Sequence, residues 1–174
     1  MLNLLLNRRS TRKFKEQQIS EEQVRYLLKC ALLSPSSKNK RPWNIIIVKD
    51  RETLNALSGC KPHGAAFLKN SPIAFVITGD PTISDVWIED ASIVSIDIQL
   101  AAETLGLGSC WSQIRNRMHN DTQSAENYIR HLLNIPENIN VLSIIGAGYK
   151  EKDRTPYSEE DIEWNKVYFE KFGE

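Results

Sequence analysis

Residues 84–114 read SDVWIEDASIVSIDIQLAAETLGLGSCWSQI, and their pattern decides the fold. From Ser84 to Leu105 the spacing is helical. Ile88, Ala91, Ser92, Ser95, Gln99 and Ala102 are mostly small or apolar at i, i+3, i+4 steps, and Val94, Ile98, Ala101 and Leu105 make a second apolar face. A long helix with two such faces needs partners on two sides. A single small domain often lacks the second partner, and a partner subunit would supply it. Gly106 and Gly108 end the helix in the manner of a left-handed cap, and Ser109 to Ile114 continue as a strand or extended loop.

The flanks of this stretch add a sheet. Trp43 to Val48 (WNIIIV) and Ile73 to Thr78 read as strands rich in β-branched residues, and Val141 to Tyr149 as a further one. Helices are expected at Leu2–Leu6, from Ser20 to Pro35, over Glu52–Leu57 and from Asp121 or Thr122 to Leu133. Ser20 and Gln23 have the spacing of a capping box, and Val24, Leu27, Leu28, Ala31 and Leu32 follow as one buried stripe. Three or four strands and about five helices in mixed order argue an α+β fold, with helices flanking a mixed, mostly antiparallel sheet. No linker or repeat divides residues 1–174, so one domain is expected. The segment Pro156–Glu174 is charged with interspersed Trp164, Tyr168 and Phe172, and is expected to dock on a neighbour across a dimer.

Composition narrows the function classes. The chain has 174 residues, 41% hydrophobic and 25% charged, with 22 basic and 22 acidic side chains and zero net charge. A balanced surface has no general pull on nucleic acid or an anionic membrane, so any anion site must be local. The apolar start, Met1 to Leu6, precedes Arg8 and Arg9 and is too short and in the wrong order for a secretory signal. No stretch approaches the roughly 18 apolar residues of a membrane helix. Cys30, Cys60 and Cys110 are an odd, scattered set that fits reduced thiols in the cytoplasm. His63, His119 and His131 show no metal-ligand spacing, and no Walker A lysine, GxGxxG or GxSxG motif occurs.

Four stretches could carry chemistry. Arg8-Arg9-Ser10-Thr11-Arg12-Lys13 offers guanidinium forks and hydroxyls that match phosphate; taken alone it reads first as a solvated basic turn, and zero net charge counts against a nucleic-acid arm. Ser34-Pro35-Ser36-Ser37-Lys38-Asn39-Lys40-Arg41-Pro42-Trp43 holds hydroxyl and amide groups between two proline bends, or is a plain helix-to-strand loop. Gly106-Leu107-Gly108-Ser109-Cys110-Trp111 permits close backbone approach to a planar ligand, or is a helix cap. Gly146-Ala147-Gly148-Tyr149, with Lys152 and Arg154 after it, is an anion site or an exposed loop.

In this order, the four stretches resemble the nitroreductase family of FMN-dependent oxidoreductases, over nearly the whole chain. The resemblance implies that Arg8, Arg9 and Ser10 hold the FMN phosphate, with Lys152 and Arg154 closing on it. It implies Arg12 near the N1/C2 edge of the ring as electrostatic support, and Pro35, Ser36, Ser37 and Asn39 reaching the ring from the other subunit. The backbone of Trp111 to Ile114, centred on Gln113, would donate to N5. Lys61 is the candidate for a residue reading the pyrimidine edge. No side-chain nucleophile or metal is implied: NADH or NADPH would give hydride to flavin N5, and a nitroaromatic, quinone or similar acceptor would take it. A non-catalytic flavin-binding or sensing module is the alternative. Two positions depart from the family pattern, Arg41 in place of Gln before Pro-Trp and Ser112-Gln113 in place of Ile-Gly after Trp111, and both bear on the acceptor side.

Overall fold

A computed structural model describes residues 1–173. Four strands, Trp43–Val48 (β1), Ile73–Gly79 (β2), Leu107–Gln113 (β3) and Asn140–Tyr149 (β4), form one sheet in the order β1–β2–β4–β3. Every pairing between them is antiparallel. Central β2 is buried at every position, which its run of β-branched and aromatic residues permits. Ile73, Phe75 and Ile77 point into one core and Ala74 and Val76 into another on the opposite face, as the strand pleat requires. In β4 the register shifts opposite Ile77 and Thr78. The shift puts Val141 and Ile144 in one core, and Leu142 and Ile145 in the other.

Helices cover both faces. Glu21–Leu32 (α2) and Trp87–Thr104 (α4) pack together on one, and Arg51–Ser58 (α3), Ala125–Leu133 (α5) and a 3-10 segment, Ala66–Asn70, on the other. Leu2–Asn7 (α1) touches α4. The capping box forms: Ser20 Oγ accepts from Gln23 N at 3.2 Å, and Gln23 Oε1 accepts from Ser20 N at 3.1 Å. Val24, Leu27 and Ala31 are buried and Leu28 half-buried, whereas Leu32 lies open.

Several boundaries differ from the sequence expectation because turns use the backbone N–H groups first. Asn120 Oδ1 accepts from Thr122 N and Gln123 N at 3.0 and 2.9 Å. That turn delays α5 to Ala125, where Ser124 Oγ caps Asn127 N. Before α4, Asp80 O accepts from Ile83 N and Ser84 N at 3.2 and 3.4 Å, and Ser84 O accepts from Trp87 N at 3.3 Å, so successive turns occupy this stretch and α4 begins at Trp87 rather than Ser84. It ends at Thr104, with Gly106 at φ +69°.

The two faces read on α4 are both largely filled within one chain: Ala91, Ser95, Gln99 and Ala102, and also Val94, Ile98 and Ala101, are buried. The sheet and α2 supply both sides. What stays half-open is a different stripe, Ile93, Ile96 and Leu100. From Pro156 onward the chain forms only two short 3-10 turns and leaves Trp164, Phe169 and Phe172 exposed; Glu174, included in the expected docking segment, lies outside the described residues. Among the described residues, no helix is long and apolar enough to cross a membrane.

Candidate functional site

The sheet brings the two ends of the chain together at β3, an edge strand. Thr11 N donates to Ser109 O at 2.9 Å, and Ser10 forms a parallel bridge with Ser109. Phe14 bridges Lys150, and Lys15 N donates to Tyr149 O at 2.9 Å. Gly108 makes this approach possible: a Cβ there would lie 2.5 Å from Thr11 Oγ1. Beyond β4, Lys150 is tied to Glu103 of α4 at 2.7 Å, which fixes where residues 151–155 begin.

The result is a cleft of about 640 Å³ lined by residues 9–13 and 151–155. It holds Arg9, Arg12, Lys13, Lys152 and Arg154 against two acids, Glu151 and Asp153. Arg154 Nη1 donates to Ser10 O at 3.4 Å and joins the two segments. Arg9 is partly used within the chain: its guanidinium bonds Thr155 O and sits 4.3 Å from the Tyr157 ring centre. Arg8 is not among the lining residues of this cleft, but with Arg12 it acts on Cys110 next door. Burial pushes the Cys110 thiol up, against the opposing pull of Arg12, Ser10, Arg8 and Lys61. Burial also pushes Cys60 up to about 11. Burial thus favours the protonated thiol at both positions.

The outer side of β3 continues the site. In an antiparallel pair, alternate residues turn both backbone groups away from the partner strand. Ile114 N donates to Leu142 O of β4 at 3.0 Å, and the Ile114 side chain is fully buried. Ile114 thus faces inward, while Ser109, Trp111 and Gln113 turn their backbone groups outward. Gln113 O accepts from Lys61 Nζ at 2.7 Å. Lys61 therefore stands at the end of this edge, its ammonium pushed down from its ordinary value first by burial, with Arg117 adding to the effect and the two thiols opposing it. The Gln113 side chain stays local, its Oε1 accepting from Trp111 Nε1 at 3.0 Å.

The Ser34–Pro42 loop is built differently. Two carboxylates of α4 hold it: Asp90 Oδ1 accepts from Ser37 N at 2.8 Å, and Asp97 Oδ2 accepts from Ser34 Oγ at 2.6 Å. Asp90 is buried, and its other oxygen accepts from Ser84 Oγ at 3.2 Å. Lys38, Asn39 and Arg41 have φ of 51°, 55° and 47°, a region that costs residues with a Cβ roughly 1–3 kcal/mol each. Pro35, Ser36, Ser37 and Asn39 do not line the cleft of their own chain. Sequence reasoning missed Asp90; an acid among the apolar residues of a buried helix was the available signal.

The profile of the Nitroreductase family matches residues 5–60 and 60–149. The chain belongs to the nitroreductase family. A solved structure described as an FMN-dependent nitroreductase from Clostridium difficile R20291 superposes with a TM-score of 0.97 at 47% identity, covering 99% of this chain and 100% of that one. A relative from Archaeoglobus fulgidus, provisionally named NADH dehydrogenase/NAD(P)H nitroreductase, is 37% identical over 92% of this chain and 91% of its own. A structure from Parabacteroides distasonis, provisionally given the same name, has a TM-score of 0.89 at 31% identity over 98% of each chain. The nitroreductase-family fold thus accounts for the antiparallel sheet, the flanking helices and the edge at β3.

Proposed function

We propose that this nitroreductase-family chain is an FMN-dependent, NAD(P)H-consuming oxidoreductase that works as a homodimer in the cytoplasm. The observation that carries the reading is the cleft: two basic segments far apart in a neutral sequence line one hollow beside an open strand edge. The donor set fits FMN. Arg8, Ser10, Lys152 and Arg154 would grip the phosphate, which guanidinium forks and hydroxyls match. Arg12 would place positive charge at the N1/C2 edge, and the outward backbone of β3 would donate to N5, with Gln113 as its centre. Lys61 would serve the pyrimidine end. Bound there, FMN would supply two-electron transfer from NADH or NADPH to nitroaromatic, quinone or similar acceptors.

The dimer follows from the loop. Pro35, Ser36, Ser37 and Asn39 would complete the partner's site, giving two equivalent sites by two-fold symmetry. The half-open stripe Ile93, Ile96 and Leu100, and the exposed aromatics of the tail, supply apolar surface for that contact. Three free cysteines support a reducing compartment.

The test is optical. Purified protein should be yellow with flavin bands, and anaerobic NADH or NADPH should bleach them. A yellow protein that neither nucleotide bleaches would be a binding module rather than an enzyme, and a colourless protein that takes up no added FMN would refute the flavin assignment.

A further inference from the structure

We propose that the tip of the Ser34–Pro42 loop, through Arg41, selects acceptors that carry a carboxylate. This rests on the reading above, in which the loop borders a flavin held by the other subunit. Lys38, Lys40 and Arg41 place three cations within four residues of a neutral chain. None of the three is in an ion pair among the described residues. The carboxylates that hold the loop are engaged elsewhere, Asp90 by Ser37 and Ser84 and Asp97 by Ser34.

Arg41 is also oriented. Its backbone N donates to Ser36 Oγ at 2.9 Å, and its side-chain Nε donates to Asn39 Oδ1 at 2.9 Å. With Nε committed, the guanidinium plane is fixed, and among the described residues its two terminal nitrogens have no partner. The left-handed backbone at Lys38, Asn39 and Arg41 holds this arrangement against its own conformational preference, which marks a loop whose shape is specified rather than a flexible connection. A fixed fork with two free donors matches a carboxylate in bidentate geometry. Lys38 and Lys40 add a local positive field that draws anions toward it.

The experiment compares 4-nitrobenzoate with its neutral counterpart 4-nitrobenzamide, titrated into the oxidised flavoprotein with the dissociation constant read from the flavin band. The acid should bind more tightly than the amide. Arg41→Gln should weaken the acid about tenfold or more and move the amide by less than about twofold. Arg41→Lys, which keeps the charge without the fork, should recover only part of the loss. Added salt should weaken the acid alone. The proposal is overturned if acid and amide shift together, if Arg41→Lys behaves as wild type, or if Arg41→Gln changes the KM for NADPH relative to NADH and not acid binding, which would make the recognised anion a dinucleotide phosphate. A colourless wild-type protein that takes up no FMN would sink the flavin reading itself, whereas a fully loaded Arg41→Gln protein with unchanged acid binding would sink this proposal alone.

Discussion

The cleft at residues 9–13 and 151–155 and the loop at residues 34–42 are both basic, and they are held in opposite ways. The cleft is stitched to the sheet by backbone hydrogen bonds, Thr11 to Ser109 and Lys15 to Tyr149, and closed by Arg154 on Ser10. Its parts come from one chain. The loop is held by side chains, Asp90 and Asp97 of α4, with strained backbone at its tip. It contributes nothing to its own chain's cleft. A backbone-built grip is assembled within one chain, whereas the lip, fixed to a helix with a half-open apolar stripe, is the part that the proposed second subunit would give something to cover.

Separate substitutions should break the two regions in different ways. The largest effect is expected from Arg8→Ala with Arg154→Ala. On the proposed phosphate grip, each would remove a charge-assisted contact worth about 1.5–3 kcal/mol. Flavin affinity in equilibrium titration should therefore fall on the order of a hundredfold or more, with little change in urea stability of the apoprotein. Asp90→Ala should lower both stability and flavin affinity. It orphans Ser37 N–H and the buried Ser84 hydroxyl at about 1–3 kcal/mol each, so the urea midpoint should drop, and flavin affinity should weaken through the lip rather than the phosphate grip. Gly108→Ala should sit between them: the new Cβ meets Thr11, costs about 1–3 kcal/mol as overpacking, and weakens flavin binding by pushing Ser10 and Arg12 off β3.

The smallest expected effect concerns the thiols. Cys60 ionises near 11 in the folded chain, against an ordinary value of 9.0. In between, the folded protein keeps a proton that the unfolded chain releases, so burial of Cys60 contributes less stability as pH rises from 9 to 11. Iodoacetamide should accordingly label half-exposed Cys30 first at pH 8 and leave Cys60 unmodified until the pH nears 11 or the chain unfolds. Early labelling of Cys60 would mean that the α3 side of the sheet is looser than its packing implies.

What the sequence revealed and what it hid differ by mechanism. β1, β2 and β4 were legible because runs of β-branched residues have few other uses, and Ser20–Gln23 because a capping box is a local event. The delayed starts of α4 and α5 were not, since backbone turns after Asp80 and the Asn120 side chain occupy nearby N–H groups in a way that spacing does not display. The meeting of residues 9–13 with 151–155 was reached only through the family resemblance; nothing local in either segment points to the other. The grip of Lys61 on Gln113 depends on a long-range approach for the same reason, and Lys61 entered the reading only as a possible equivalent. The faces of α4 were identified, but their need for a partner was overstated, because α2 and the sheet cover most of both. Ile93, Ile96 and Leu100 were the residues left over.

The central claim is that one chain's cleft works with the other chain's lip, and subunit mixing tests it most directly. The cleft variant Arg8→Ala/Arg154→Ala and the lip variant Asp90→Ala should each retain little flavin at limiting FMN. Co-folded in equal amounts, half the dimers are mixed, and each mixed dimer has one site with both parts intact, so flavin retention should rise to about a quarter of wild type. Retention no higher than the average of the two parents would contradict a site shared between subunits.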